Sequence, residues 1–143
     1  MGTFSGSWRI AMDATEATLS MDTWLGPRPL YDVPEITGSF YLRPSGGLAG
    51  FALLIPLPSR ALRWDAADLD RGGRSRIRLG EREIGAAVSV LCAQVPGERP
   101  YYKVVLETAF SSWRLGLPGV PRLRPRRIAL TLFSEIYIVK APG

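Results

Sequence analysis

Apolar and polar residues alternate with a period of two along most of this chain, the spacing that puts one set of side chains on each face of an extended strand. Thr3 to Met12 brings Phe4, Trp8 and Ile10 onto one side in an extended reading, and Ala17, Leu19, Met21 and Thr23 then alternate with Thr18, Ser20, Asp22 and Trp24. Gly26 to Pro34 carries Pro27, Pro29 and Pro34, which deny it a helix or a central strand, so it reads as a loop or lid. Ile36 to Leu42 follows as a strand, and Pro44-Ser-Gly-Gly47 has the turn chemistry to fold it back onto Leu48 to Leu57. In that second arm Phe51, Leu53, Ile55 and Leu57 share one face and Ala52 and Leu54 the other, as in a strand covered on both sides.

Helical spacing surfaces once. Ser59 to Asp70 offers Ser59 as an N-cap and Leu62, Ala66 and Leu69 along one side, ended by Arg71-Gly-Gly73, and predicts a short helix. Alternation then resumes: Ser75, Ile77 and Leu79 oppose Arg74, Arg76 and Arg78, Gly80-Glu81-Arg82 turns, and Ile84 to Val95 completes a second hairpin. After a turn at Pro96 to Pro100, Tyr102, Val104, Leu106, Thr108 and Phe110 alternate against Lys103, Val105, Glu107 and Ala109, with a bulged continuation through Trp113 and Leu115. Gly116 to Pro125 is a proline-rich loop. The closing strand, Arg127 to Val139, places Ile128, Leu130, Leu132, Ser134, Ile136 and Ile138 on one face, and Ala129, Thr131, Phe133, Glu135 and Tyr137 on the other. Eight or nine short strands joined mainly by hairpin turns predict an all-β domain spanning residues 1–143, an antiparallel barrel or sandwich with at most one short helix.

Composition narrows the chemistry. At 143 residues, with 46% apolar and 22% charged residues, the chain is expected to build one globular core. Its longest apolar run, Leu48 to Leu57, is too short for a membrane helix, and the N-terminus lacks the pattern of a secretory signal, so a cytoplasmic location is expected. Histidine is absent, which removes the commonest general base and metal ligand, and Cys92 is alone, which precludes an internal disulfide. Cys92 reads as a buried structural residue. No metal site and no cofactor are expected. Asparagine is also absent, Gln94 is the sole glutamine, and arginine outnumbers lysine sixteen to two, a bias that points to a thermophilic or GC-rich source.

Several segments resemble the YceI-like family of lipocalin-like barrels. Trp8-Arg-Ile-Ala-Met-Asp13 before the alternating Ala17 to Met21 is similar to the family's opening, Gly38-Ser-Phe40 to its Gly-x-Phe, and Leu54-Ile-Pro-Leu-Pro-Ser59 to its apolar strand ending in serine. Leu106 to Gly116 resembles the late segment with an arginine and a glycine, and Arg127 to Lys140 the terminal amphipathic strand. The chain departs from the family in its shorter length, its middle section and the missing Gly-Leu-Thr before the late strands. The resemblance implies a barrel that holds a polyisoprenoid or another long apolar ligand.

Trp24, Phe40, Phe51, Phe110, Trp113 and Tyr137 are the ligand-binding candidates, since such ligands need apolar walls. A barrel of this size filled by its own side chains gives the same aromatics an ordinary core role. Two arginine groups, Arg74, Arg76 and Arg78, and Arg122, Arg124, Arg126 and Arg127, form a basic surface on a chain of net charge +5 and pI near 9.9. Without a nucleic-acid motif or interleaved aromatics, a solvated face or one meeting an acidic protein surface or a second copy is favoured over nucleic-acid binding. No carboxylate spacing singles out a catalytic pair, and Asp65, Asp68 and Asp70 read as solvated beside arginines. The reading is therefore a non-enzymatic barrel for an apolar or amphipathic ligand; the alternative is a structural or partner-binding subunit of a larger assembly that uses its arginine-rich surface and proline-rich loops, and the third is phosphate or nucleic-acid binding through the arginine clusters.

Overall fold

The computed structural model describes residues 6–9, 15–33, 36–43, 47–58, 60–69, 73–98, 101–117, 120 and 123–137, with only the backbone for residues 6–9 and 137. Among them ten strands form β1 (Gly6–Arg9), β2 (Thr15–Thr23), β3 (Gly26–Val33), β4 (Thr37–Leu42), β5 (Leu48–Leu57), β6 (Arg60–Ala66), β7 (Arg74–Leu79), β8 (Arg82–Val95), β9 (Tyr101–Ser111) and β10 (Arg127–Tyr137). All neighbours run antiparallel, in the order β1-β4-β5-β6-β7-β8-β9-β10-β2-β3.

Chain length forces that sheet to curl. β1 and β2 are eight ladder steps apart, roughly 38 Å across a flat sheet. Arg9 and Thr15 are six residues apart in sequence, a span of at most about 23 Å. A flat sheet therefore cannot satisfy both. β8 contributes to the curl, because its first half pairs with β7 through Ala87 and its second half with β9 from Val88 onward. The result is a curled, half-barrel sheet with β1 and β3 at its edges.

Alternation decides what fills the interior. Leu62, Trp64 and Ala66 from β6, Ser75, Ile77 and Leu79 from β7, Tyr102 through Phe110 from β9 and Ile128 through Ile136 from β10 point inward at every second position. Their apolar members belong to one core cluster. Trp64 is fully buried, packs edge-on against Phe51 at 5.2 Å, and donates its indole N–H to the Ser75 hydroxyl at 2.9 Å, which in turn donates to the Ala86 carbonyl at 2.9 Å. Ser134, the polar interruption on the inner face of β10, lies opposite Thr15 and shares a 2.7 Å hydroxyl–hydroxyl bond with it. Gly38 and Gly50 bring β4 and β5 against the neighbouring backbone: a Cβ on either would collide with the carbonyl oxygen of Ala52 or Ala66, and Gly38 also sits at φ +148.

Four local expectations are corrected. The proline-rich Gly26–Val33 is the edge strand β3, not a loop or lid. Prolines are tolerated there because an edge strand has donors that no neighbour needs, and the register shift between Leu19 and Ser20 absorbs Leu30 as an extra residue beside Pro29. Arg60–Ala66 is strand β6, not a helix. A helix burying Leu62 and Ala66 would turn Trp64 to the opposite side, whereas a strand buries all three together. β5 is covered on one face only, since Leu54 is 37% exposed, and a register shift at Tyr41/Leu42 re-phases the strand so that both Leu48 and Phe51 face inward. β9 stops at Ser111, and Trp113 to Leu115 lie in a turn instead of a bulged continuation. Ser59, Asp70, Arg71, Arg122, Ile138, Val139 and most of the Pro44 to Gly47 turn lie outside the described residues.

A candidate ligand cleft at the loop end of the sheet

Register brings distant parts of the chain to one end. The β2–β3 turn, the β5–β6 turn, the β7–β8 turn and the β9–β10 connection all lie beyond the same edge of the ladder. The β7–β8 turn is a two-residue reversal, Gly80–Glu81, because Leu79 pairs directly with Arg82. Gly80 takes φ 62, the left-handed conformation that such a tight hairpin requires. Its bare α-carbon also leaves room for Arg60, whose Nη1 would lie 3.3 Å from a Cβ at that position.

The β9–β10 connection is clipped at its base. Ser112 N–H donates to the Arg126 carbonyl at 2.8 Å, and Arg126 N–H donates to the Ser112 hydroxyl at 2.8 Å. Within the excursion, Leu115 and Leu117 are buried and fasten it to the core. Trp113, lying between them and the clip, stays 58% exposed.

Between these two connections opens a cleft of about 1030 Å³, lined by Arg60, Leu79, Gly80, Glu81, Arg82, Ser112, Trp113, Gly116, Leu117 and Val120. Arg60 and Arg82 are exposed cations facing one carboxylate, Glu81, and an apolar wall. A smaller depression of about 310 Å³ beside it is lined by Ala109, Phe110, Ser111, Pro125, Arg126 and Arg127. There the Arg126 Nε is buried without a hydrogen-bond partner among the described residues. An anion with apolar bulk suits both surfaces, because guanidinium groups engage oxyanions through paired donors and apolar walls shed water from a hydrocarbon portion.

The six aromatic candidates do not converge. Phe40 and Phe51 are cross-strand partners deep in the core, at 0% and 1% exposure, and Phe110 is buried at the top of β9. Trp24 is 89% exposed in the β2–β3 turn, and Trp113 is the one candidate that lines the large cleft. Tyr137 stands opposite Tyr101 in β10, with its side chain outside the described residues. The arginines divide as well. Arg74, Arg76 and Arg78 form an exposed outward stripe on β7, where Arg76 pairs with Asp65 at 3.2 Å and Arg78 with Glu83 at 2.8 Å. The hydrogen bond and charge of Arg78 hold the Glu83 carboxyl below its usual range, and Glu83 in return raises Arg78. Arg124 and Arg127 are exposed at the loop end, where Arg127 pairs with Asp22 at 3.2 Å. Cys92 is half-buried, which pushes its thiol upward and keeps it protonated at neutral pH.

Sequence reasoning missed Arg60 and Arg82. Each adjoins a turn, after Pro58-Ser59 and Gly80-Glu81, which was the available signal; that the two turns share one end of the sheet follows only from the register. Among the described residues no three His, Cys, Asp or Glu side chains gather as a metal site, and no helix is long and apolar enough to cross a membrane.

No family model matches the chain, and no curated protein matches it either. The YceI-like resemblance thus rests on sequence pattern, with which the all-β curled sheet is compatible. Among solved structures, a multidomain protein including DUF1735 from Bacteroides ovatus aligns over 96% of this chain at 11% identity and a TM-score of 0.32, and this chain spans 59% of its length. So distant a likeness transfers no function.

Proposed function

We propose that this protein is a non-enzymatic, lipocalin-like binding protein whose cleft takes an amphipathic anion. The carrying observation is that Arg60 and Arg82 share one 1030 Å³ cleft with Trp113, Leu117 and Val120. In this reading the two guanidinium groups hold a carboxylate or phosphate head, and the three apolar side chains cover the hydrocarbon part. The cleft replaces the barrel interior as the binding place, because Phe40, Phe51 and Trp64 pack against one another where an internal isoprenoid would lie. The chemistry of a lipid-like ligand is kept from the family resemblance; its position is new.

Native mass spectrometry of protein purified from its own host tests this. The expected result is a retained anionic amphiphile that is lost in the Arg60→Glu/Arg82→Glu variant. A protein that emerges bare, and that binds a fluorescent fatty acid equally well with and without those arginines, would sink the reading.

A further inference from the structure

Outside the cleft, the loop end displays large apolar side chains to water. Trp24 is 89% exposed, Leu25 80% and Leu123 92%, and Trp113 adds its exposed face beside them. Single exposed apolar residues are ordinary on soluble proteins, but a cluster marks an interaction surface. These four are clustered by topology. They sit on the β2–β3 turn and the β9–β10 connection, and β9, β10 and β2 are consecutive in the sheet, so the outer two lie roughly 10 Å apart. The Arg127–Asp22 pair at 3.2 Å joins the ends of β10 and β2 from which the two connections leave.

Charge says what covers them. Arg28, Arg114 and Arg124 are exposed near the same tips and have no ion pair among the described residues. The nearby carboxylate Asp22 is already engaged by Arg127. A second copy meeting this end would bring arginine against arginine. Indole rings at turn tips, leucines beside them and guanidinium groups behind them match instead the layering of a bilayer surface, with headgroup phosphates outside and acyl chains beneath. We propose that this end of the sheet docks on the surface of an anionic phospholipid bilayer. Trp24, Leu25 and Leu123 do not line the cleft, and the variants below leave Trp113, the one member that does, unaltered, so the docking surface is tested independently of what the cleft holds.

Co-sedimentation with vesicles of phosphatidylcholine, with or without phosphatidylglycerol, tests it. Binding is expected only to the vesicles that contain phosphatidylglycerol, and it should weaken as salt rises. The Trp24→Ser/Leu123→Ser variant, folded as judged by an unchanged unfolding curve, should bind about tenfold more weakly or less still. Arg124→Glu should weaken binding further at low salt than at high salt. In the unaltered protein, bromine-labelled lipid should quench tryptophan emission. Equal binding to neutral vesicles, binding indifferent to the double variant, or absence of quenching would overturn the proposal. So would self-association in solution that the same double variant abolishes, which would assign the patch to a second copy.

Discussion

Trp64 and Trp113 are the same residue in opposite circumstances. Trp64 stands mid-strand in β6, fully buried, its ring against Phe51 and its N–H satisfied by Ser75. Trp113 stands two residues past the end of β9, more than half exposed, on the wall of a cleft. The arginines repeat the contrast. On β7 they alternate with core residues, and Arg76 and Arg78 find Asp65 and Glu83 on neighbouring strands, whereas Arg60 and Arg82 at the strand starts line the cleft. Trp64, Arg76 and Arg78 have their partners within the sheet, while Trp113, Arg60 and Arg82 are left available at its loop end. Residue type therefore does not distinguish structural from binding roles in this protein, and position relative to the strand ends does.

The contrast can be broken most severely at Trp64. Trp64→Ala should cost about 3–5 kcal/mol of stability by chemical denaturation, because it deletes a ring from a closed interior. A loss under about 1 kcal/mol would mean that the interior is less completely packed than its burial indicates. Ser75→Ala should cost about 1–3 kcal/mol, since it strands the buried indole N–H without an acceptor, and the same unfolding curves measure it. At the loop end the expected outcome reverses. Arg60→Glu/Arg82→Glu should change stability by no more than about 1 kcal/mol, roughly half a kcal/mol per exposed site, yet lower fatty-acid affinity tenfold or more in a fluorescence titration.

The smallest effect belongs to the β7 stripe. Glu83 has its carboxyl lowered by Arg78, so its contribution is present above the unfolded carboxyl pKa and is lost as pH falls through the folded one. The wild type should therefore melt slightly above Glu83→Gln at neutral pH, and the two melting temperatures should merge on acidification. A gap that widens in acid would invert the assigned sign. Being solvent-exposed, the pair should be nearly silent in high salt.

Much of the fold was legible from alternation alone. β7, β9 and β10 present inward the very residues their spacing selects, and the outer face of β10 carries no unexplained aromatic at Phe133, which is half-buried with the Lys103 ammonium 5.4 Å from its ring centre. β6 was concealed because Leu62 and Ala66 fit both a helical and an extended spacing, and only the inward need of Trp64 separates them. β3 was concealed because proline signals a missing donor without saying whether a strand edge lies there to tolerate it. The site was less legible than the fold. Trp113 was among the residues selected, while Arg60 and Arg82 were not, being separated in sequence from one another and from Trp113.

In β7, β9 and β10 the sequence by itself determined which side chains face inward, because a strand's period of two is a local property of its backbone. It determined equally that Gly80 turns and that Ser134 needs a polar partner inside an apolar row. Tertiary structure alone decided that this partner is Thr15, that β8 bends from one neighbour to another, and that Arg60, Arg82 and Trp113 meet in one cleft. Those outcomes depend on register and on how far the sheet curls. Both are set by pairing between strands up to 119 residues apart, and no local spacing encodes them.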